Sequence, residues 1–366
     1  MNKNLYIDLN VLQTVPSSNI NRDDTGAPKT ALYGGVTRAR VSSQSWKSAI
    51  RKTFKKENIG TGFRTKEAVR LLAEKLMSIS PSLNEKSAFK KSAEVFKAVG
   101  IKVNKDGETG ALLLVSPGQL EKLSQYVVNH PNDKFDKNET KKEIKKVLKS
   151  DNSLDLAIFG RMVADNPELN VDAAVQVAHA LSTHEIVPEF DYYTALDDLQ
   201  SKDSSGAAML GTIEFNSATL YRYANVNVNE LVHNLGAANA IQGISAFIKA
   251  FLLSMPTGKQ NTFANKTLPN YVMITIRTDT PVNLVSAFED PVKSNHGYVE
   301  KSVQSLEDEF QTAQKSGLVA EPILNTVLSS KKYKSQLDGQ VANLTELLEK
   351  VTETLTEAVQ DENTND

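Results

Sequence analysis

The chain has 366 residues, with 42 Lys or Arg against 44 Asp or Glu, one tryptophan and no cysteine. That length predicts two or three domain-sized units whose cores need no covalent staples. The missing cysteines exclude disulfide scaffolds, thiolate zinc sites, iron–sulfur clusters and cysteine nucleophiles, and fit a reducing cytoplasm.

The first residues carry no charged stretch followed by an apolar core, so no signal peptide is expected. Leu5, Ile7, Leu9 and Val11 alternate with polar neighbours, predicting a half-buried strand. A polar loop, Pro16 to Gly35, follows, with a turn-forming run from Asn21 to Lys29; loops of such length usually carry function. Val36 to Val41 predicts a short strand that places Arg38 and Arg40 on one face. Ser42 and Ser43 then cap a helix reaching about Lys56. On it Trp46, Ile50 and Phe54 form an apolar seam, beside a basic seam of Lys47, Arg51 and Lys55. Trp46 therefore reads as core. With Ser43 and Gln44 in the first turn, where backbone N–H groups lack partners, helix end and basic seam form a phosphate-binding unit.

From about Gly60 to Val177 the sequence turns helical and Lys-rich, with amphipathic candidates at Lys66 to Met77, Asn84 to Ala98 and Lys137 to Lys149. Gly160 suggests a turn presenting Arg161 and Met162, and Val171 to Ser182 reads as a further helix. Phe190 to Ala195 and Leu210 to Phe215 predict a projecting hairpin. Ala218 to Val228 continues as strand, with Tyr221 and Tyr223 on one face and Leu220 and Arg222 on the other. Helices from Asn229 to Met255, a loop from Pro256 to Ala264, a strand from Tyr271 to Arg277 and mainly helices thereafter complete an α+β chain. The longest apolar stretch, Ile244 to Met255, contains Lys249 and falls short of the ~20 residues of a membrane span, so no membrane partner is expected.

Charge is uneven along the chain. Lys29 to Lys56 holds eight basic residues and no acid, whereas Gln336 to Asp366 holds eight acids and only Lys350. A near-neutral total thus conceals a basic field able to attract a polyanion. The five histidines form no zinc-protease motif, and no serine-hydrolase elbow, phosphate loop or dinucleotide fingerprint is present, so neither metal nor cofactor is expected. His179 and His184 read as structural, and the acidic pairs Asp23-Asp24 and Asp197-Asp198 as turn residues.

The run Asn21-Arg-Asp-Asp-Thr-Gly-Ala-Pro-Lys29 through Arg51, with Gly160-Arg-Met162, His179 to His184, Ala195-Leu-Asp-Asp-Leu-Gln200, Gly211 to Phe215 and Tyr221 to Asn225, closely resembles the CasC family. This is the repeated backbone subunit of type I-E CRISPR Cascade. The resemblance implies an RRM-like (ferredoxin-like) palm with a helical fingers insertion and a β-hairpin thumb. Its parts fall at 1–60 (palm), 61–182 (fingers), 183–190 (palm), 191–212 (thumb) and 213–366 (palm with C-terminal helices).

The resemblance further implies a non-catalytic scaffold that oligomerises along CRISPR guide RNA and leaves the bases free to pair with a target DNA strand in antiviral defence. Its partners would be that RNA and DNA, other copies of itself, and the large, small, 5′-end and guide-processing Cascade subunits. Carried over by position, the phosphate-contacting candidates are Arg22, Lys29, Ser42, Gln44, Lys47 and Arg51, with Arg161 and Met162 from the fingers. Arg38, Arg40, Lys259 and Gln260 join them as RNA-binding candidates, and Tyr192, Tyr193, Leu199 and Leu210 are candidates for kinking the RNA. Two rivals remain: an RNA-cleaving subunit using Asp23 or Asp24, and a general single-strand binding protein.

Overall fold

A computed structural model describes residues 4–131, 135, 137–195, 209–330 and 332–363. In chain order the elements begin with β1 (Tyr6–Ser18), β2 (Thr30–Tyr33), β3 (Val36–Val41) and α1 (Ser43–Lys56). A mainly helical stretch follows: β4 (Phe63–Thr65), α2 (Ala68–Ile79), α3 (Glu85–Ala98), β5 (Leu113–Val115), α4 (Pro117–Asn129), α5 (Asn138–Lys149) and α6 (Leu154–Phe159). Then come β6 (Val175–Val177), β7 (Ala180–Ser182), β8 (Glu189–Ala195), β9 (Met209–Asn227), α7 (Val228–Leu235), α8 (Ala237–Leu253) and α9 (Gln260–Phe263). The chain closes with β10 (Tyr271–Arg277), α10 (Val299–Lys315), β11 (Leu324–Ser329) and α11 (Leu344–Asn363).

These elements group into two compact units. The first holds Met1–Ile50, Val177–Asn225 and Ser245–Asp366, and the second holds Arg51–Gln176 and Val226–Ile244. The first is built on a sheet of order β11-β10-β1-β9-β7-β3-β2, antiparallel in the registers Tyr6↔Arg277, Tyr271↔Ser329, Leu181↔Tyr221, Arg40↔Leu181 and Thr30↔Ala39. The second has its own core, in which Leu72 of α2, Phe96 of α3, Leu123 of α4 and Ile144 of α5 are fully buried together. Among the described residues no helix is long and apolar enough to cross a membrane.

The alternation in β1 is real, yet both of its faces are buried. Tyr221, Tyr223 and Met273 pack with α10 residues Val303 and Leu306 on one side of the sheet. On the other side Arg222 stacks between the Trp46 ring of α1 and the Phe251 ring of α8, its guanidinium carbon 3.8 and 4.5 Å from their centroids. Burial lowers the pKa of Arg222 to about 9. Trp46 is core, as its seam predicts. The polar half of β1 survives burial because each side chain finds a partner. Asn10 Oδ1 accepts from the Tyr221 hydroxyl at 2.7 Å, Gln13 Oε1 from Arg222 Nη1 at 2.5 Å, and Asp8 Oδ1 from the Tyr223 hydroxyl at 2.6 Å.

Asp8 also accepts from the Val282 N–H at 3.1 Å and lies 3.3 Å from Arg277. Burial outweighs these partners and lifts its pKa from 3.8 to about 6. Folding therefore favours protonated Asp8. The associated stability is fully present below about pH 3.8 and is lost as the pH rises through about 6. Its magnitude is roughly 3 kcal/mol. Urea denaturation at pH 4 and pH 7 should show the gap between the native protein and Asp8→Asn changing by that order; a pH-independent gap would reject the assignment.

The structure departs from the predicted elements in three places, the first being the loop predicted from Pro16 to Gly35, which contains the end of β1 and the strand β2. Val171 to Ser182 forms no helix but includes β6 and β7, because Val175 and Val177 are buried on one side of Gln176 and Leu181 pairs with Tyr221. The strand β11 lies where mainly helices are predicted; it is a sheet edge in which the adjacent Thr326 and Val327 are buried and the other four residues only partly so, which leaves no clean alternation. The predicted hairpin is present as β8 and β9, in register from Glu189↔Phe215 to Ala195↔Met209.

Candidate nucleic-acid interface

In the first unit the loop between β1 and β2 folds back onto itself and onto α1. Lys29 N–H donates to Asn21 O at 2.8 Å, and Arg40 N–H to Lys29 O at 2.9 Å. The Asn21 side chain accepts from Ser42 N–H at 2.8 Å, tying the loop to the start of α1. Asn21 is a positioning residue that side-chain charge gave no reason to single out. Asp23 shapes the loop tip: its Oδ1 accepts from Thr25 N–H (2.9 Å), Thr25 Oγ1–H (2.7 Å) and Ala27 N–H (3.1 Å). These bonds, led by the threonine hydroxyl, hold its pKa below the usual value.

A groove opens beside this loop, lined by Val15, Asn21, Lys29, Arg40, Asn216 and Leu220, among others. Arg40 is fixed there by donating from Nε to Thr30 O at 2.9 Å, with Nη1 3.2 Å from His179 Nδ1. The loop before β10 reaches the same place. Gly258 lies against the carbonyls of Ile20 and Asn19, where an added Cβ would fall 2.4 Å from Ile20 O, so only glycine allows that approach. Lys259 follows at φ 48° and leads into α9, whose Phe263 ring packs 5.6 Å from Phe215. The fold thus gathers Lys29, Arg40, Ser42 and the approach of Lys259 and Gln260 around Asn21, while Arg22 and Gln44 are exposed on the adjoining loop and helix start.

Three candidate cations have other work. Arg38 is fully buried and donates to the carbonyls of Tyr33 (3.1 Å), Ser182 (2.9 Å), Phe288 (2.8 Å) and Glu289 (3.2 Å). It braces the sheet, and strand alternation misplaced it with Arg40 because periodicity does not reveal which faces are covered. In the second unit Arg161 is 5% exposed, and its guanidinium donates to Leu114, Leu148 and Leu169 carbonyls and to Gln119 Oε1. Gly160, at φ 74°, does turn the chain, but it presents Met162, which is 80% exposed, rather than Arg161.

Arg51 donates from Nε to Asp155 Oδ2 at 2.8 Å; this fully buried carboxylate also accepts from Gly62 N–H (2.7 Å) and Ser153 Oγ–H (2.8 Å). Lys47, one turn earlier on α1, is half-buried, and burial lowers its pKa. Residue type and spacing suggest that Lys47→Ala with Arg51→Ala flattens the salt dependence of RNA binding by up to about two counterions. With Arg51 held by Asp155, the expected change is nearer one. Arg51→Ala alone should cost about 3 kcal/mol in urea denaturation by leaving a buried anion without its cation. A destabilisation below about 0.5 kcal/mol would show that Asp155 does not depend on Arg51.

Every residue of β8 is exposed, so its tyrosines lie outside the core. Directly opposed residues share a face, which puts Phe190, Tyr192 and Leu210 together on one side of the hairpin. They are 67%, 64% and 59% exposed, an apolar patch without cover in the described residues. Tyr193, on the other side, lies over Gly211, where a Cβ would fall 2.4 Å from its ring. Leu199 lies outside the described residues, as do Asp197 and Asp198.

The model of the family described as CT1975-like protein matches residues 7–354. Among solved structures, a chain of a "CRISPR RNA-guided surveillance complex, pre-nicking" is similar at 30% identity and TM-score 0.82, over 96% of this chain and 100% of that one. A chain of a "CRISPR RNA-guided surveillance complex" is similar at 27% identity and TM-score 0.63, over 95% and 99%. No curated protein matches.

Proposed function

We propose, from the premise that this chain belongs to the CT1975-like protein family, that it is a guide-RNA-binding backbone subunit of a Cascade-like surveillance complex, of the CasC kind found in type I-E systems. The observation that carries this reading is the groove in which Lys29 and Arg40 meet the Asn21-anchored start of α1. Cations, short polar groups and helical N–H groups are suited to phosphates and sugars, contacts that position a strand without reading its sequence. A guide must be held in that way whatever its spacer sequence, so that its bases stay open to target DNA.

The sheet supports an RRM-like palm. Its central order β10-β1-β9-β7, with α1 following β1 and α8 lying between β9 and β10, has the strand arrangement of that fold. The exposed side of the hairpin bearing Tyr192 and Leu210 serves as the thumb, and further copies pack along the same RNA in the cytoplasm. Asp23 favours a scaffold over a nuclease, since its carboxylate is engaged in shaping its own loop.

Purification with the neighbouring subunits should yield bound RNA that sequences as repeat-derived guides; random cellular RNA would support the general single-strand binder. Asp23→Asn with Asp24→Asn should leave target RNA uncut in both forms of the complex. Cleavage by the native complex that disappears in the variant would establish the nuclease instead.

A further inference from the structure

We infer that His179, exposed beside this groove and in contact with its Arg40, is a third phosphate-facing group, one that takes up a proton as RNA binds, so that the site holds its polyanion more tightly as the pH falls through neutrality. The inference rests on the RNA-binding reading above. Arg40 Nη1 lies 3.2 Å from His179 Nδ1. A guanidinium nitrogen is always a donor, so Nδ1 accepts, and the free protein holds a neutral ring with its proton on Nε2. The imidazole is thus the one group at the basic end of the groove whose charge remains adjustable near neutral pH.

The charged groups facing the ring are Arg40 from β3 and Lys29 from the preceding loop. Burial first, then these two cations, hold its pKa below the ordinary value. From β9, Tyr223 accepts the Ala178 N–H at its carbonyl but sends its hydroxyl to Asp8, so it offers the ring no anion. A phosphate between Lys29 and Arg40 reverses this balance. It neutralises both repelling charges and draws the Arg40 donors away from Nδ1, which accepts a proton from solvent; the imidazolium then donates to the same anion. The groove walls contributed by Val15, Val41, Ala218 and Leu220 strengthen such charge interactions by excluding water.

The test uses the full chain freed of nucleic acid and a labelled single-stranded RNA oligonucleotide of mixed sequence, with Kd measured at pH 6 and pH 8 at fixed ionic strength. The native protein should bind several-fold, up to about tenfold, more tightly at pH 6, a tenfold change corresponding to one pK unit. His179→Gln should bind like the native protein at pH 8 and lose most of the gain at pH 6. His179→Arg, with a permanent charge, should bind tightly at both. If His179→Gln keeps the native ratio between the two pH values, the inference is overturned while RNA binding stands. If the native protein binds RNA at neither pH, both fall together.

Discussion

Replacing Lys29 and Arg40 together by glutamate should weaken binding of single-stranded RNA at least about 100-fold near 0.15 M salt, and lower the slope of log K against log salt by about 1.4. The slope follows from two lost phosphate contacts at about 0.7 each on a single strand. The larger drop in affinity follows from placing two anions where a polyanion must pass. Both residues line the groove, and Arg40 is already fixed by Thr30 O, so little side-chain entropy is lost when it meets a phosphate. Neither residue is itself fully buried. Lys52 and Lys55, exposed on α1, are the comparison: their reversal should weaken binding far less, because charges in open solvent are screened within about 8 Å at physiological salt. Equal losses from the two pairs would mean that the field of the whole basic segment, and not the groove, attracts RNA.

How far the sequence foretells this site depends on what each signal reports. Periodicity reports secondary structure, so β10, α1, the hairpin and the Asn84-capped α3 are legible; Asn84 Oδ1 does accept from Ser87 N–H. Charge reports residue type but not environment. Within one basic field Lys29 and Arg40 line a groove, Arg38 is sealed into the sheet and Arg51 is paired with Asp155. Only tertiary partners distant in sequence separate these cases: Ser182, Phe288 and Glu289 for Arg38, and Asp155 for Arg51. Asn21 and His179 fall within the family-like motifs, yet residue type does not mark their roles, for the complementary reason. Each acts by holding a neighbour, Ser42 or Arg40, and neither carries a charge that would mark it. The resemblance to a family singles out the motif Gly160-Arg161-Met162 without saying which member faces out; the fold buries Arg161 and exposes Met162.

That last distinction can be measured. Arg161→Ala should destabilise the second unit by about 3–5 kcal/mol, since it removes a buried cation that bridges three backbone carbonyls and one side chain. Burial has already lowered the pKa of this arginine to about 10, which shows how little water shares the work. Leu148 O keeps the Gln119 amide as donor at 2.8 Å, so the loss concentrates on Leu114 O and Leu169 O. Lysine should restore only part of the stability, because one ammonium cannot span carbonyls that approach a planar fork from several sides. Met162→Ala is the opposite case. With 80% of its surface in solvent it should change stability by less than about 0.5 kcal/mol, yet weaken RNA binding several-fold if the family motif works through it. Hydrogen exchange at the amides of α5 and at Leu169 to Val171, read beside RNA affinity, separates the two. An Arg161→Ala protein with native exchange and lost RNA binding would return Arg161 to the interface and sink its assignment as the clamp of the second unit.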